Sequence, residues 1–294
     1  MTTAPTPGTV QEVVPLRHPW RVVSGAVVLV LLALLAYRLG TLKTIHYGSI
    51  TTYLGQRSIV EGLLTTVELA VLSQAIGIVL GTLLATMRLS RNPVLSSVSW
   101  AYIWFFRGTP LIVQVLFWFN GLPQVIGDHV SLGPFYDGRT TDLLTVFVAG
   151  TLALSLNEAA YMAEVVRAGL LSVDDGQTEA AEALGMKPGL VLRRIVLPQA
   201  MRVVIPPTGN EFISMLKNTS LIVVIGQVEL LGRSQAVSSV SGEVFELLVM
   251  ASIWYLALTS LAYVGQYYLE RRFARGSVRD LPPTPLQRLR RARP

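Results

Sequence analysis

Apolar residues along this chain run in long blocks and do not alternate with polar ones. Six such blocks stand out: 22–42, Ile59–Met87, Ser97–Phe119, Leu143–Val166, a stretch from just after Pro206-Pro207 to near Leu231, and Phe245–Leu269. A helix needs roughly 20 apolar residues to cross a bilayer. Apolar character on all faces of a helix marks burial in lipid or protein, not an amphipathic surface position. The pattern predicts an all-α integral membrane protein with six spanning helices. Its parts are a cytoplasmic leader (1–21), a first span (22–42), a transmembrane body (59–270) containing a long loop (172–205), and a tail (271–294).

Composition agrees with the blocks. Hydrophobic residues make up 51% of the 294 positions, charged residues 14%, and the mean hydropathy is +0.52; soluble domains carry about 25% charged residues. There is no cysteine, which excludes disulfides, thiolate metal sites and cysteine nucleophiles. His18, His46 and His129 lie far apart and lack metal-ligand spacing, so no metal site is expected.

Charge placement sets an orientation. Seventeen of the 24 Lys and Arg fall in one set of segments: the leader, the Arg88–Arg91 turn, the Arg167–Arg202 region and the tail. Only Arg38, Lys43, Arg57, Arg139 and Arg233 fall in the opposite set, and Arg107 and Lys217 lie inside blocks. By the positive-inside rule both termini are expected in the cytoplasm and Gly121–Thr141 outside. The net charge of +6 then reads as an interfacial anchor to acidic lipid, since no single clustered basic face suggests nucleic acid. The first block ends in Arg38-Leu39-Gly40 with no small-x-small cleavage site, so it is expected to remain as an uncleaved span. The Thr- and Pro-rich Met1–Gly8 reads as disordered, and Leu281-Pro282-Pro283-Thr284-Pro285 cannot be helical.

The long cytoplasmic loop has structure of its own. Gln177–Met186 has helix-forming composition and stops near Gly185. Lys187-Pro188-Gly189 reads as a turn, Leu190–Val196 as a second short helix, and Pro198 as a break. Such a hairpin either lies on the membrane or docks on a partner. Glu179-Ala180-Ala181, three residues, Gly185, nine residues, Ile195, one residue and Leu197-Pro198 resemble the coupling-loop signature of ABC importer permeases. A finer resemblance, to the polar amino-acid permeases of type I importers, runs over about 59–268. It is carried by Phe106-Arg107-Gly108-Thr109-Pro110-Leu111, Ala159-Ala160-Tyr161-Met162-Ala163-Glu164, Leu197-Pro198-Gln199-Ala200, Pro206-Pro207 through Asn210-Glu211, and Leu216-Lys217-Asn218-Thr219-Ser220-Leu221.

The resemblance implies a permease subunit of an ATP-driven importer that moves a polar amino acid by alternating access. Its implied partners are a second permease chain, two copies of an ABC ATPase subunit and an extracytoplasmic substrate-binding protein. No cofactor is implied on this chain, with ATP and Mg held by the ATPase. Glu179, Ala180, Ala181, Gly185, Ile195, Leu197 and Pro198 would contact that ATPase. The residues agree that ATP is hydrolysed elsewhere, because the chain has neither a Gly-x-x-x-x-Gly-Lys-Ser/Thr loop nor a Gly-x-Ser-x-Gly elbow. An ion-coupled secondary transporter is the rival, but it would show inverted repeats, and none is visible.

Ionisable groups inside a span cost roughly 2.5–3.5 kcal/mol on insertion scales, so they face an interior or a water-filled path. Asn157, Glu158, Tyr161, Glu164, Asn210, Glu211, Lys217 and Thr219 are therefore candidates to line the substrate path, against the alternative that they pair to hold helices together. Glu164 stands next to Arg167 and reads as paired, whereas Glu158 lies deeper with no cation within a turn. Glu158 tilts the substrate toward a cationic or amide side chain. Lys217 lies roughly 16 Å along the helix from Pro206 and is expected to find a carboxylate, Glu158 first and Glu211 second. Arg107, near Pro110, reads as an anchor at a bend. Gly77 and Gly81, four apart, read as a close helix contact.

Overall fold

The computed structural model describes residues 19–41, 46–131, 133–134 and 136–273. Most of the leader, Lys43 and the proline-containing end of the tail lie outside them. Two units are present, divided after His46. In the first, α1 (Pro19–Thr41) is an apolar helix with Trp20 and Leu29 among its exposed side chains.

The second unit begins with α2 (Tyr47–Leu54) and the long α3 (Arg57–Arg88). Next come α4 (Pro93–Gly108), α5 (Leu111–Leu116), a π-turn at Phe117–Gly121 and α6 (Leu122–Ile126). A small antiparallel pair, β1 (His129–Ser131) and β2 (Asp137–Arg139), and α7 (Thr140–Leu143) lead into α8 (Val146–Leu171). After α9 (Asp175–Ala183) and α10 (Pro188–Val191) come α11 (Leu197–Asn218), α12 (Leu230–Ser241) and α13 (Val244–Phe273).

The centre of this unit is the contact between α3 and α8. It is close because a Cβ added at Gly77 would sit 2.5 Å from Glu158 Cγ, and one at Gly81 would sit 2.6 Å from Met162 Cβ. The four-residue glycine spacing therefore packs α3 on α8, as the sequence predicts. Leu69, Val115, Leu154 and Ile222 fill the core beside this seam. Helix starts follow local chemistry: Asn92 Oδ1 accepts from Val94 N at 2.9 Å ahead of Pro93, and Thr145 Oγ1 accepts from Val148 N.

Three helices, α3, α8 and α13, are long and apolar enough to span a membrane unbroken. Two further helix pairs are apolar enough to span only when taken together, and each is bent. The expected third span is one of them: α4 meets the run Leu111–Ile126, α5 through α6, at 104°. Pro110 holds Thr109 in an extended conformation (φ −111°, ψ 143°) and stops α4 at Gly108.

Two further expectations change. Pro206 and Pro207 do not open the fifth helix; they lie inside α11, which starts nine residues earlier at Leu197. Pro198 does not break the chain either. It stands at the second residue of α11, directly after a π-turn, and the helix runs on through it. A π-turn at Leu192–Val196 joins α10 to α11, and Gln199 Nε2 donates to the Ile195 carbonyl at 3.1 Å. At its far end α11 tightens into a 3₁₀ turn (Thr219–Ile225), stops at Gly226, and is followed by α12 at 47°.

Candidate functional site

The break at Gly108–Pro110 leaves the last carbonyls of α4 without helical donors. Two side chains supply them. Gln114 Nε2 donates to Phe106 O (2.9 Å), Thr109 O and Thr109 Oγ1, and Asn157 Nδ2 donates to Phe106 O at 3.0 Å and to Gln114 Oε1. Asn157 is thus a brace for the bend as well as a lining residue. The bend opens a cavity of about 560 Å³ between α4–α5, α8 and α11. Its charged walls are Arg107, Glu158 and Glu211; Asn157, Tyr161, Ser214 and Asn218 add polar groups.

Glu158 is 4% exposed, and Gln74 Nε2 of α3 donates to its Oε1 at 2.9 Å. The Glu158 and Glu211 charges repel each other, and Arg107 attracts Glu211. The Arg107 guanidinium carbon stands 5.2 Å from the centre of the Tyr161 ring, within cation–π reach.

Four of the eight predicted path residues therefore meet in one cavity: Asn157, Glu158, Tyr161 and Glu211. Glu164 lies outside it and pairs with Arg167 at 2.6 Å, the ion pair that its spacing suggests. Asn210 faces α13, where its Oδ1 accepts from Gln266 Nε2. Thr219 is fully buried, donates to the Leu216 carbonyl at the end of α11, and does not line this cavity. Lys217 is exposed near the end of α11 and, among the described residues, makes no ion pair. The expected pairing with Glu158 fails because α11 starts well before Pro206, so Lys217 lies 20 residues along it, next to its end.

Arg107 and Asn218 are lining residues that the chain-order reading did not assign to the path. Sequence places Arg107 beside Pro110, and only the 104° bend turns that position toward the cavity. A further buried acid, Glu229, caps α12 through Gly232 N and accepts from Thr66 Oγ1 and Tyr255 OH, tying α3, α12 and α13 together. Among the described residues no three His, Cys, Asp or Glu side chains gather as a metal site.

The loop 172–196 forms the second feature. Asp174 caps α9 by accepting from Gly176 N. Gly185, at φ +78°, closes α9 with bonds from Gly185 N to Glu182 O and from Met186 N to Ala181 O, a Schellman arrangement that needs the left-handed backbone of glycine. Glu179 and Ala180 are exposed on α9 while Ala181 is buried. Ile195 is half-buried in the π-turn, and Leu197 and Pro198 are exposed at the start of α11. The predicted residues thus divide between an outward face of α9 and the joint with α11.

Residues 77–275 match the binding-protein-dependent transport system inner membrane components. The chain belongs to that family. It is 46% identical over 273 residues to the arginine transport system permease protein ArgU of Corynebacterium glutamicum, covering 92% of this chain and 85% of the relative. It is 36% identical to a probable amino-acid ABC transporter permease protein, PatM, of Vibrio harveyi, over 73% of this chain and 91% of that one. The crystal structure of an amino acid ABC transporter with histidines contains a chain that is 34% identical, with a TM-score of 0.67 over 78% of this chain and 99% of that chain. The protein is accordingly a membrane permease subunit of an ABC importer with the type I permease fold. It is not itself an enzyme, and ATP hydrolysis belongs to a separate chain. The ion-coupled secondary transporter is set aside.

Proposed function

We propose that this permease imports a cationic amino acid, held during passage in the cavity behind the α4–α5 bend. The carrying observation is charge complementarity. The cavity presents two carboxylates, Glu158 and Glu211, and one guanidinium, Arg107. Arginine or lysine presents two cations and one carboxylate. Arg107 would take the α-carboxylate, and the two glutamates would take the α-ammonium and the side-chain cation. Charge-assisted bonds of this kind are the strong ones. The relatives named for arginine and amino-acid transport support the same substrate class.

The assembly follows from the family: an ABC ATPase, an extracytoplasmic binding protein and a second permease chain. We place the ATPase at two copies, each holding ATP and Mg, and set one against each copy of the loop 172–205. Both termini are cytoplasmic in this reading, 22–42, most of which is α1, is the first of six spans, 59–270 is the permease body, and 271–294 is a basic tail drawn to acidic lipid.

The test is uptake by the complex reconstituted in proteoliposomes, with each amino acid competing against labelled arginine. Glu158→Gln and Glu211→Gln should each raise the KM for arginine and lysine by about tenfold or more, the worth of one charged hydrogen bond. Neutral amino acids should compete comparatively better. An unaltered order of preference in both variants would overturn the cationic assignment.

A further inference from the structure

A second cavity, of about 520 Å³, opens on the other side of Arg107. Its charged walls are Arg88, Arg107, Arg167 and Glu164, three guanidiniums against one carboxylate. Glu164 is already taken by Arg167. Arg88 Nη1 donates to Ser96 Oγ at 2.8 Å, a neutral partner, and Arg107 stands over Tyr161. Among the described residues neither Arg88 nor Arg107 makes a close ion pair, although both attract Glu164 and Arg107 also attracts Glu211. The charge is opposite to that expected for a cationic substrate path.

Two tryptophans complete the wall. Trp100 and Trp104 stack with ring centroids 6.2 Å apart, and both are exposed, at 54% and 66%. They lie on α4, seven and eleven residues past its start at Pro93, and share the cavity wall with Arg88, the last residue of α3. Indole rings favour the headgroup level of a bilayer, and basic pockets between spanning helices hold anionic headgroups. A second copy of this chain is a poor occupant, since two such cavities facing each other would oppose six guanidiniums to two carboxylates.

We propose that this cavity binds the phosphodiester headgroup of an acidic phospholipid, with Arg88 on the phosphate, Arg107 adding positive charge from the shared wall, and Trp100 and Trp104 against the glycerol and upper acyl chains. The two cavities share Arg107 and Gly108, but Arg88, Trp100 and Trp104 line only this one, and the proposal stands whether or not the cationic assignment does.

The experiment uses the full transporter complex in nanodiscs containing brominated phosphatidylglycerol or brominated phosphatidylcholine, which quench indole fluorescence on contact. The component lost in Trp100→Phe/Trp104→Phe reports this cavity. The expected result is stronger quenching of that component by the phosphatidylglycerol probe. Arg88→Gln should weaken the half-saturating lipid fraction about fivefold, the effect of one interfacial charge, and Arg88→Lys should restore most of it. Equal quenching by both lipids overturns the proposal, and so does an Arg88→Gln variant that keeps the preference. Displacement by millimolar inorganic phosphate in phosphatidylcholine discs would assign the cavity to a soluble anion. Absence of quenching by either lipid would show the face covered by another protein chain; both results overturn the lipid assignment.

Discussion

Glu158 and Lys217 separate what residue type tells from what placement tells. Both are charged groups in apolar blocks, and sequence pairs them. In the fold, Glu158 is buried behind Gly77 with Gln74 as its donor, whereas Lys217 is exposed. Lys217→Met should therefore leave arginine uptake near normal, and Glu158→Gln/Lys217→Met should match Glu158→Gln alone. Recovery of uptake in the double variant would instead reveal an ion pair, since removing both partners leaves no charge unpaired. Gly77 is a sharper test of packing. Gly77→Val places atoms inside Glu158 and should destabilise the α3–α8 seam by about 1–3 kcal/mol, seen as a lower melting midpoint in detergent. An unchanged midpoint would contradict the close contact. Gly77 was legible because small residues four apart announce a helix contact; Arg107 was not, because its role depends on a bend that turns it inward.

At the scale of elements, the two places where helices depart from regularity carry the candidate functions. At α4–α5, the chain must leave Phe106 O and Thr109 O without helical partners, and Gln114 supplies both. Gln114→Leu strands the Thr109 carbonyl and leaves Phe106 O to Asn157 alone, a loss of about 1–3 kcal/mol. The expected outcome is a lower melting midpoint together with slower uptake, because the same bend shapes the cavity. A stable variant with normal uptake would mean that water replaces the amide. In the loop, Gly185 at φ +78° ends α9. Gly185→Asp is strained there by about 1–2 kcal/mol and adds a charge to an exposed surface. It should insert and assemble in the membrane but lose transport and substrate-stimulated ATP hydrolysis. Normal transport by that variant would count against the loop as the ATPase contact. Prolines misled the reading at this scale: Pro198 and Pro206-Pro207 look like breaks, yet a first-turn position and a preceding π-turn accommodate the one, and α11 passes through the others.

For the whole molecule, charge bias and the loop's place in chain order make a single testable statement. If both termini are cytoplasmic, a reporter fused after Pro294 that is active only in the cytoplasm should be active, and one inserted within Gly121–Thr141 should not. Inverted activities would move the loop away from any cytoplasmic ATPase. The assembly is equally exposed to test: purified permease should hydrolyse no ATP until its ATPase partner is added.

Sequence alone determined that the chain is a mainly helical membrane permease of the ABC importer type. Long unalternating apolar blocks satisfy their backbone hydrogen bonds in lipid as helices, and five ordered motifs leave little room for another family. It also identified the chemistry-bearing residues by type, because a charge in an apolar block is costly enough to require a reason. Which of them share a cavity was decided only by tertiary structure. That choice turns on the angle at Thr109–Pro110, the start of α11 and the close approach at Gly77, none of which is a property of one segment. A helix face is defined relative to its neighbours, and only packing α3 against α8 and folding α4 back at 104° brought Arg107, Glu158 and Glu211 around one space.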